Sequence, residues 1–105
     1  MAKDLLIIDR DQKIIKHFPI GHDDHYRLVD AARSYGDCHL ISRLEDYYSD
    51  TEFSADEIQL LIVEIRGLQR FAEKTQLDLL NLLLGFERIA EHAKNLKLPL
   101  IAVAD

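Results

Sequence analysis

The chain has 105 residues, of which 48% are hydrophobic and 30% are charged. This length suits one domain with one core, and the composition lacks the bias of disordered chains. The 19 acidic and 13 basic residues give a formal charge of -6. An acidic balance disfavours nucleic acid as a direct partner, because phosphate binding requires clustered Lys and Arg. It favours a basic protein surface instead.

Cysteine use and hydropathy predict a cytoplasmic protein. Cys38 is the single cysteine, so an internal disulfide cannot form and a reducing compartment is the simplest setting. The four apolar residues 5–8 are too few for the core of a signal peptide. No apolar run reaches the length that a membrane span needs, which predicts that the protein has no membrane partner.

Two strand-like runs open the chain. Residues 5–8 and 13–18 are rich in strand formers and are separated by a polar stretch, which predicts a β-hairpin. A helix is predicted from about residue 22, where acidic side chains suit the positive end of the helix dipole, to a stop at Gly36. Its predicted apolar stripe consists of Tyr26, Leu28, Val29, Ala32 and Tyr35. Residues 38–41 are predicted to form a third strand.

Two further helices and a closing strand are predicted in the second half. Ser54 and Glu57 fit a capping box, which predicts a helix over residues 55–73. Its apolar stripe is Ile58, Leu61, Ile62, Ile65, Leu68 and Ala72. Thr75 is predicted to cap the next helix, whose stripe is Leu79, Leu80, Leu83, Phe86, Ala90 and Ala93, widened by Leu82, Leu84 and Ile89. Residues 100–104 are predicted to form the last strand.

The predicted order of elements is therefore ββαβααβ. This order indicates an α+β fold, in which a small sheet of about four strands has helices packed on it. We expect a single two-layer domain over residues 1–105. The last two helices are apolar on more than one side, which is compatible with burial in the core and also with a homodimer.

Two patterns could indicate a metal site. Residues 46–57 place acids at three positions of a calcium loop, but Tyr48 removes a ligand and Thr51 replaces the glycine of the sharp turn. His22 and His25 would share one face of a helix, without further ligands at a fixed spacing. We therefore expect no metal, no cofactor and no enzyme activity. A small metal-dependent enzyme that uses His22, Asp23 and His25 stays an alternative.

Catalytic motifs are equally incomplete. Cys38 and His39 are adjacent, and adjacent side chains of a strand point to opposite faces, so they are poorly placed to act as nucleophile and base. The chain contains no G-x-S-x-G, no glycine-rich phosphate loop and no C-x-x-C.

A degenerate receiver-like regulatory module is a second alternative. Residues 5–11 resemble the first strand of a receiver domain with its acidic end, and residues 59–67 resemble the phosphoacceptor strand. Glu64 then stands where receivers have the phosphorylated aspartate. That alternative requires residues 59–65 to form a strand parallel to the first one.

The most unusual stretch is the acidic segment, residues 45–57. It contains six carboxylates and no basic residue, so the rest of the chain has 13 acids against 13 bases. It is similar to an Asp-x-Tyr-Gly-Asp-Thr-x-Phe pattern in small bacterial proteins, which look like immunity proteins of polymorphic or contact-dependent toxin systems. The matching residues are Asp46, Tyr48, Asp50, Thr51 and Phe53, followed by Glu64, Ile65, Leu68 and Asp105, with Ser49 in place of the glycine.

This resemblance implies a protein that binds and neutralises a cognate toxin, and we expect that toxin to be a nuclease with a basic surface. An inhibitor can oppose such a surface with carboxylates and can anchor it with aromatic side chains. The predicted contact residues are Glu45, Asp46, Tyr47, Tyr48, Asp50 and Glu52. We expect Asp50 to shape the turn, and we expect Asp46 and Glu52 to contribute little to stability as solvated carboxylates.

Overall fold

A four-stranded antiparallel sheet is the frame of the fold. The computed structural model describes residues 2–46, 48–72 and 76–104, and the predictions for Tyr47, Thr75 and Asp105 lie outside these ranges. The strands are β1 (Ala2–Ile8), β2 (Ile14–Gly21), β3 (Thr51–Phe53) and β4 (Leu100–Ala104), in the spatial order β2-β1-β4-β3. The helices are α1 (His22–Tyr35), α2 (Ile58–Ala72) and α3 (Leu77–Leu96), with a short 3-10 helix at Ile41–Leu44. The predicted α+β class and the order ββαβααβ are confirmed.

The hairpin of β1 and β2 forms where it was predicted. Asp9 organises its turn, because one of its carboxylate oxygens accepts hydrogen bonds from the backbone N–H groups of Asp11 and Lys13, both at 2.9 Å. Gln12 adopts the left-handed conformation there, with a φ of 65°. The turn joins β1 to β2, and β1 also pairs with β4 on its other side, both in the antiparallel direction.

The two faces of the sheet differ in burial. In β1 the side chains of Lys3, Leu5 and Ile7 are buried, whereas the alternating residues between them are half-buried, as the two-residue period of a strand requires. The buried face packs on the helices, and its contacts include the ring of Phe18 against Gly85 of α3. The core contains Phe53, Phe86 and the buried aliphatic side chains of all three helices.

The predicted stripes of the second and third helices are largely correct. All six residues predicted for α2 are buried, as are most of those predicted for α3, while Leu84 is 43% exposed. In α1, Gly36 ends the helix in the left-handed conformation with a φ of 87°, as expected. The stripe of α1 is partly wrong, since Tyr26 is 69% exposed and His25 is buried in its place.

The prediction of a strand at residues 38–41 is wrong. Residues 39 and 40 form a turn that leads into the 3-10 helix, and β3 lies later, inside the acidic segment. The backbone N–H groups of Leu40 and Ile41 donate to the carboxylate of Glu64 and not to a neighbouring strand. Pairing instead involves Thr51, Glu52 and Phe53, which oppose β4.

The strand required by the receiver-like alternative is also absent. Residues 59–65 lie within α2, and the sheet formed by the described residues is antiparallel throughout. No helix in the described ranges combines the length and the apolar character that a membrane span requires.

The start of α2 differs in detail from the predicted capping box. A carboxylate oxygen of Glu57 accepts hydrogen bonds from the Ser54 backbone N–H at 3.0 Å and from the Ser54 hydroxyl at 3.2 Å. The Glu57 backbone N–H bonds to the Ser54 carbonyl and not to its side chain. Residues 55–57 form a turn, and α2 begins at Ile58.

This arrangement predicts that Glu57 matters more than Ser54 for stability. Ser54→Ala leaves the backbone donor of Ser54 in place, so it should cost less than the roughly 1 kcal/mol of a typical N-cap loss. Glu57→Ala removes the acceptor of both bonds and should lower the thermal midpoint further. Equal midpoints for the two variants in thermal denaturation would contradict this ranking.

Candidate partner-binding segment

The acidic segment consists of a loop, a strand and a turn. Residues 45, 46 and 48–50 belong to the loop, Thr51–Phe53 is β3 at one edge of the sheet, and residues 54–57 lead into α2. Phe53 is fully buried in the core and anchors the segment from below. The predicted contact residues Glu45, Asp46, Tyr48, Asp50 and Glu52 are all exposed, while Tyr47 lies outside the described ranges.

A buried lysine from β1 holds the loop. The side chain of Lys3 is fully inaccessible to solvent. Its ammonium group donates hydrogen bonds to the backbone carbonyls of Asp46 at 2.5 Å and Ser49 at 2.6 Å. Burial lowers the pKa of Lys3, and the nearby charges of Asp46 and Asp50 partly oppose this shift.

Two further buried polar side chains bind the backbone just before this loop. Nε2 of His25 lies 2.5 Å from the carbonyl oxygen of Leu44, which can only accept, so Nε2 carries the hydrogen. The carboxylate of Glu64 accepts hydrogen bonds from the N–H groups of Leu40 and Ile41, each at 3.0 Å. These N–H groups stand at the start of the 3-10 helix, where a helix lacks internal acceptors.

All buried polar or charged side chains of the described residues therefore bind the backbone of one stretch, from Leu40 to Ser49. Lys3, His25 and Glu64 are the three polar or charged residues that are buried. They come from β1, α1 and α2, and together they bind backbone groups of residues 40–49. The backbone below the acidic side chains is thereby fixed from three elements of the fold.

The side chains of Asp46 and Asp50 take part in this structure. Asp46 accepts hydrogen bonds from the Ser49 hydroxyl at 2.6 Å and the Tyr48 backbone N–H at 3.0 Å, and these bonds, followed by the charge of Lys3, lower its pKa. Asp50 accepts a hydrogen bond from the backbone N–H of Ala104 at 2.8 Å. The expectation that Asp46 is a merely solvated carboxylate is therefore wrong, because it forms an Asx turn inside the loop.

Arginines neutralise two other acids of the segment. Arg33 of α1 forms an ion pair with Glu45. Arg43 of the 3-10 helix forms one with Glu57 at 2.6 Å. The hydrogen bond from Arg43, followed by that from the Ser54 N–H, lowers the pKa of Glu57 to about 2. Both pairs are at the surface, where such pairs contribute little to stability.

Glu52 and Asp56 are the carboxylates of the acidic segment without a hydrogen bond or ion pair to other described residues. Glu52 lies opposite Ile101 of β4 on the face of the sheet away from the helices. Tyr48, in the loop before β3, is 74% exposed. The segment thus presents two carboxylates, two ion-paired glutamates and an aromatic ring on a fixed backbone. This arrangement is suited to binding a protein surface.

The histidines and the cysteine that were considered for metal or catalytic chemistry have other environments in the structure. In the described ranges, no group of three or more His, Cys, Asp or Glu side chains is arranged to hold a metal ion. Nε2 of His25 is engaged with Leu44, and the side chain of His22 is exposed near Asp23. Cys38 is buried, and burial together with the charges of Glu64 and Asp37 raises its pKa to about 11. A thiol with this pKa is a poor nucleophile.

Comparisons with models of protein families, with curated proteins and with solved structures find no match to this chain.

Because Lys3 is buried and hydrogen-bonded, replacing it should destabilise the protein more than replacing an exposed lysine. Lys3→Met keeps the apolar stem but leaves two carbonyls without their donor, and should lower the free energy of unfolding by about 2 kcal/mol. Lys16→Met, at an exposed position of β2, is the matched control and should change it by less than about 0.5 kcal/mol. Urea denaturation measures both, and equal values would show that the buried ammonium is dispensable.

The buried histidine predicts a loss of stability at mildly acidic pH. Burial is the main cause that lowers the pKa of His25 in the folded protein, and the nearby Lys3 and His22 add to it. In the unfolded chain a histidine has a pKa of about 6.5. Just below that pH the unfolded state therefore binds more protons than the folded state. Stability should therefore fall as pH decreases from 7 towards 5.

His25→Gln tests this origin, because glutamine can still donate to Leu44 but does not titrate. The decline in unfolding free energy between pH 7 and 5 should become shallower in this variant. His39→Gln, at an exposed position, should leave the decline as in the unmodified protein. An identical pH profile for His25→Gln would rule out His25 as the cause.

Proposed function

We propose that this protein is an immunity-type binding protein that neutralises a cognate toxin through its acidic segment. The observation that supports this most is the use of all three buried polar side chains to fix the backbone of residues 40–49. Burying a charge is unfavourable unless every polar contact is made. A loop that only improved solubility would gain nothing from such positioning, whereas a binding loop gains from a rigid support.

The chemistry of the segment favours a basic protein as the partner. Glu52 is open to an incoming cation, and Glu45 is exposed on its outer side although Arg33 pairs with it. Tyr48 offers an aromatic anchor with little conformational freedom to lose. Attraction between opposite charges also speeds association, which benefits an inhibitor that must intercept its target.

The resemblance of residues 46–53 to a segment of bacterial immunity proteins supports the partner class. Nuclease toxins bind phosphates with basic surfaces, and carboxylates can occupy such a surface in place of phosphates. We therefore propose a cytoplasmic inhibitor that contacts the toxin directly and does not contact nucleic acid or a membrane. Its contacts include Glu45, Tyr48 and Glu52, while Asp46 and Asp50 hold the loop in shape.

The test is a double charge reversal, Glu45→Lys with Glu52→Lys, which spares the two structural aspartates. The ligand is a purified toxin domain with its catalytic residue inactivated, which is first identified by pull-down with this protein or from the product of a neighbouring gene. Affinity should fall more than tenfold, which corresponds to about 1.4 kcal/mol. Association should slow most at low ionic strength, where charges act over longer distances.

A matched control separates this effect from net charge. Asp23→Lys with Asp37→Lys makes the same change in charge at two exposed sites, where the side chains are 90% and 84% accessible. This control should reduce affinity far less than the Glu45 and Glu52 variant. Thermal midpoints verify that both variants are folded. Unchanged affinity in the Glu45 and Glu52 variant, or an equal loss in the control, would refute the proposed site.

A further inference from the structure

The outward side of α2 carries three exposed apolar side chains. Leu60, Val63 and Phe71 are 57%, 53% and 47% exposed. At about 100° per residue, these three side chains and Gly67 fall within roughly 80° of the helix circumference. They lie opposite the buried stripe of α2, so the helix is apolar on two sides.

Tyr35 completes this surface from the end of α1. Its hydroxyl oxygen would lie 2.8 Å from a Cβ atom added to Gly67, so its ring fills the place that a side chain would take. The rings of Tyr35 and Phe71 have centroids 5.9 Å apart. Tyr35 is itself 40% exposed. We name the patch formed by Tyr35, Leu60, Val63 and Phe71 the α2 surface.

The charges at the two ends of the α2 surface have opposite signs. Asp56 is exposed just before the helix, and Arg70 is exposed in its last turn. Neither residue forms an ion pair within the described parts of the chain. Arg66, one turn before Arg70, is by contrast bound to both Glu87 and Glu91 of α3. The side of α2 that carries the α2 surface therefore has an acidic end, an apolar middle and a basic end.

We propose that the α2 surface binds a second copy of this chain through antiparallel packing of the two α2 helices. A two-fold axis brings the same patch of both copies together. It would place the Asp56 end of each helix beside the Arg70 end of the other, so that opposite charges meet twice. The helix dipoles would also oppose one another favourably. The apolar side chains between the two ends would form the buried core of the interface.

Sedimentation equilibrium on the full chain tests this proposal without any toxin. The expected mass is twice 12.1 kDa at high concentration. Leu60→Gln with Phe71→Gln should weaken the dimer at least tenfold. Leu77→Gln is the control, because Leu77 is 73% exposed on α3 and outside the α2 surface. It should leave the dissociation constant unchanged.

A charge exchange tests the antiparallel geometry. Asp56→Arg and Arg70→Asp should each weaken the dimer by at least tenfold, because each places like charges together across the two-fold axis. The double variant should recover most of this loss. Circular dichroism verifies that each variant is folded.

A mass of one chain at every concentration would overturn the proposal, as would a double variant that dissociates as readily as the single ones. Glu45 and Glu52 are unchanged in all of these variants. The result is therefore independent of the test of toxin binding.

Discussion

The contact between Lys3 and the carbonyls of Asp46 and Ser49 is the constraint on which the rest of the acidic segment depends. Lys3 sits in β1, one of the two strands of the sheet that pair with a neighbour on both sides. A fully buried ammonium needs acceptors, because its desolvation is otherwise very unfavourable. The loop supplies them from its backbone carbonyls, so its acidic side chains are not needed as acceptors of this buried ammonium. The buried position of Lys3 in the sheet is therefore favourable only when the loop is folded against it.

His25 and Glu64 extend the same principle to the two helices that flank the loop. Each places one buried polar group against backbone that no strand or helix would otherwise satisfy. Since the three supports come from three different elements, the backbone of Leu40, Leu44 and Asp46 is held by tertiary contacts and not by neighbours in sequence. Disturbing one support leaves a partner group unsatisfied, which is the condition under which single substitutions have large effects.

Periodicity predicted most of this fold from the sequence, and the exceptions have a common cause. The stripe of α2 followed from apolar spacing, and the hairpin followed from two runs of strand formers with a polar stretch between them, because both signals are local in the sequence. The strand expected at residues 38–41 was wrong because Glu64, more than 20 residues away, captures the N–H groups that a strand would use. Lys3 did leave a signal, since it shares the two-residue alternation of Leu5 and Ile7. Burying a lysine there is unfavourable unless acceptors are present. Those acceptors are backbone carbonyls more than 40 residues away, which no local pattern reveals.

The same long-range contacts change the meaning of the charge excess at residues 45–57. In sequence, the six carboxylates stand without any cation, whereas in space Arg33 and Arg43 each pair with a glutamate of the segment and Lys3 lies near two of its aspartates. Part of the segment's negative charge is therefore neutralised by cations that lie outside it in the sequence. Because opposite charges speed association with any basic surface, selectivity for one partner must arise from the positions of individual groups. A backbone fixed by three buried polar side chains provides such positions.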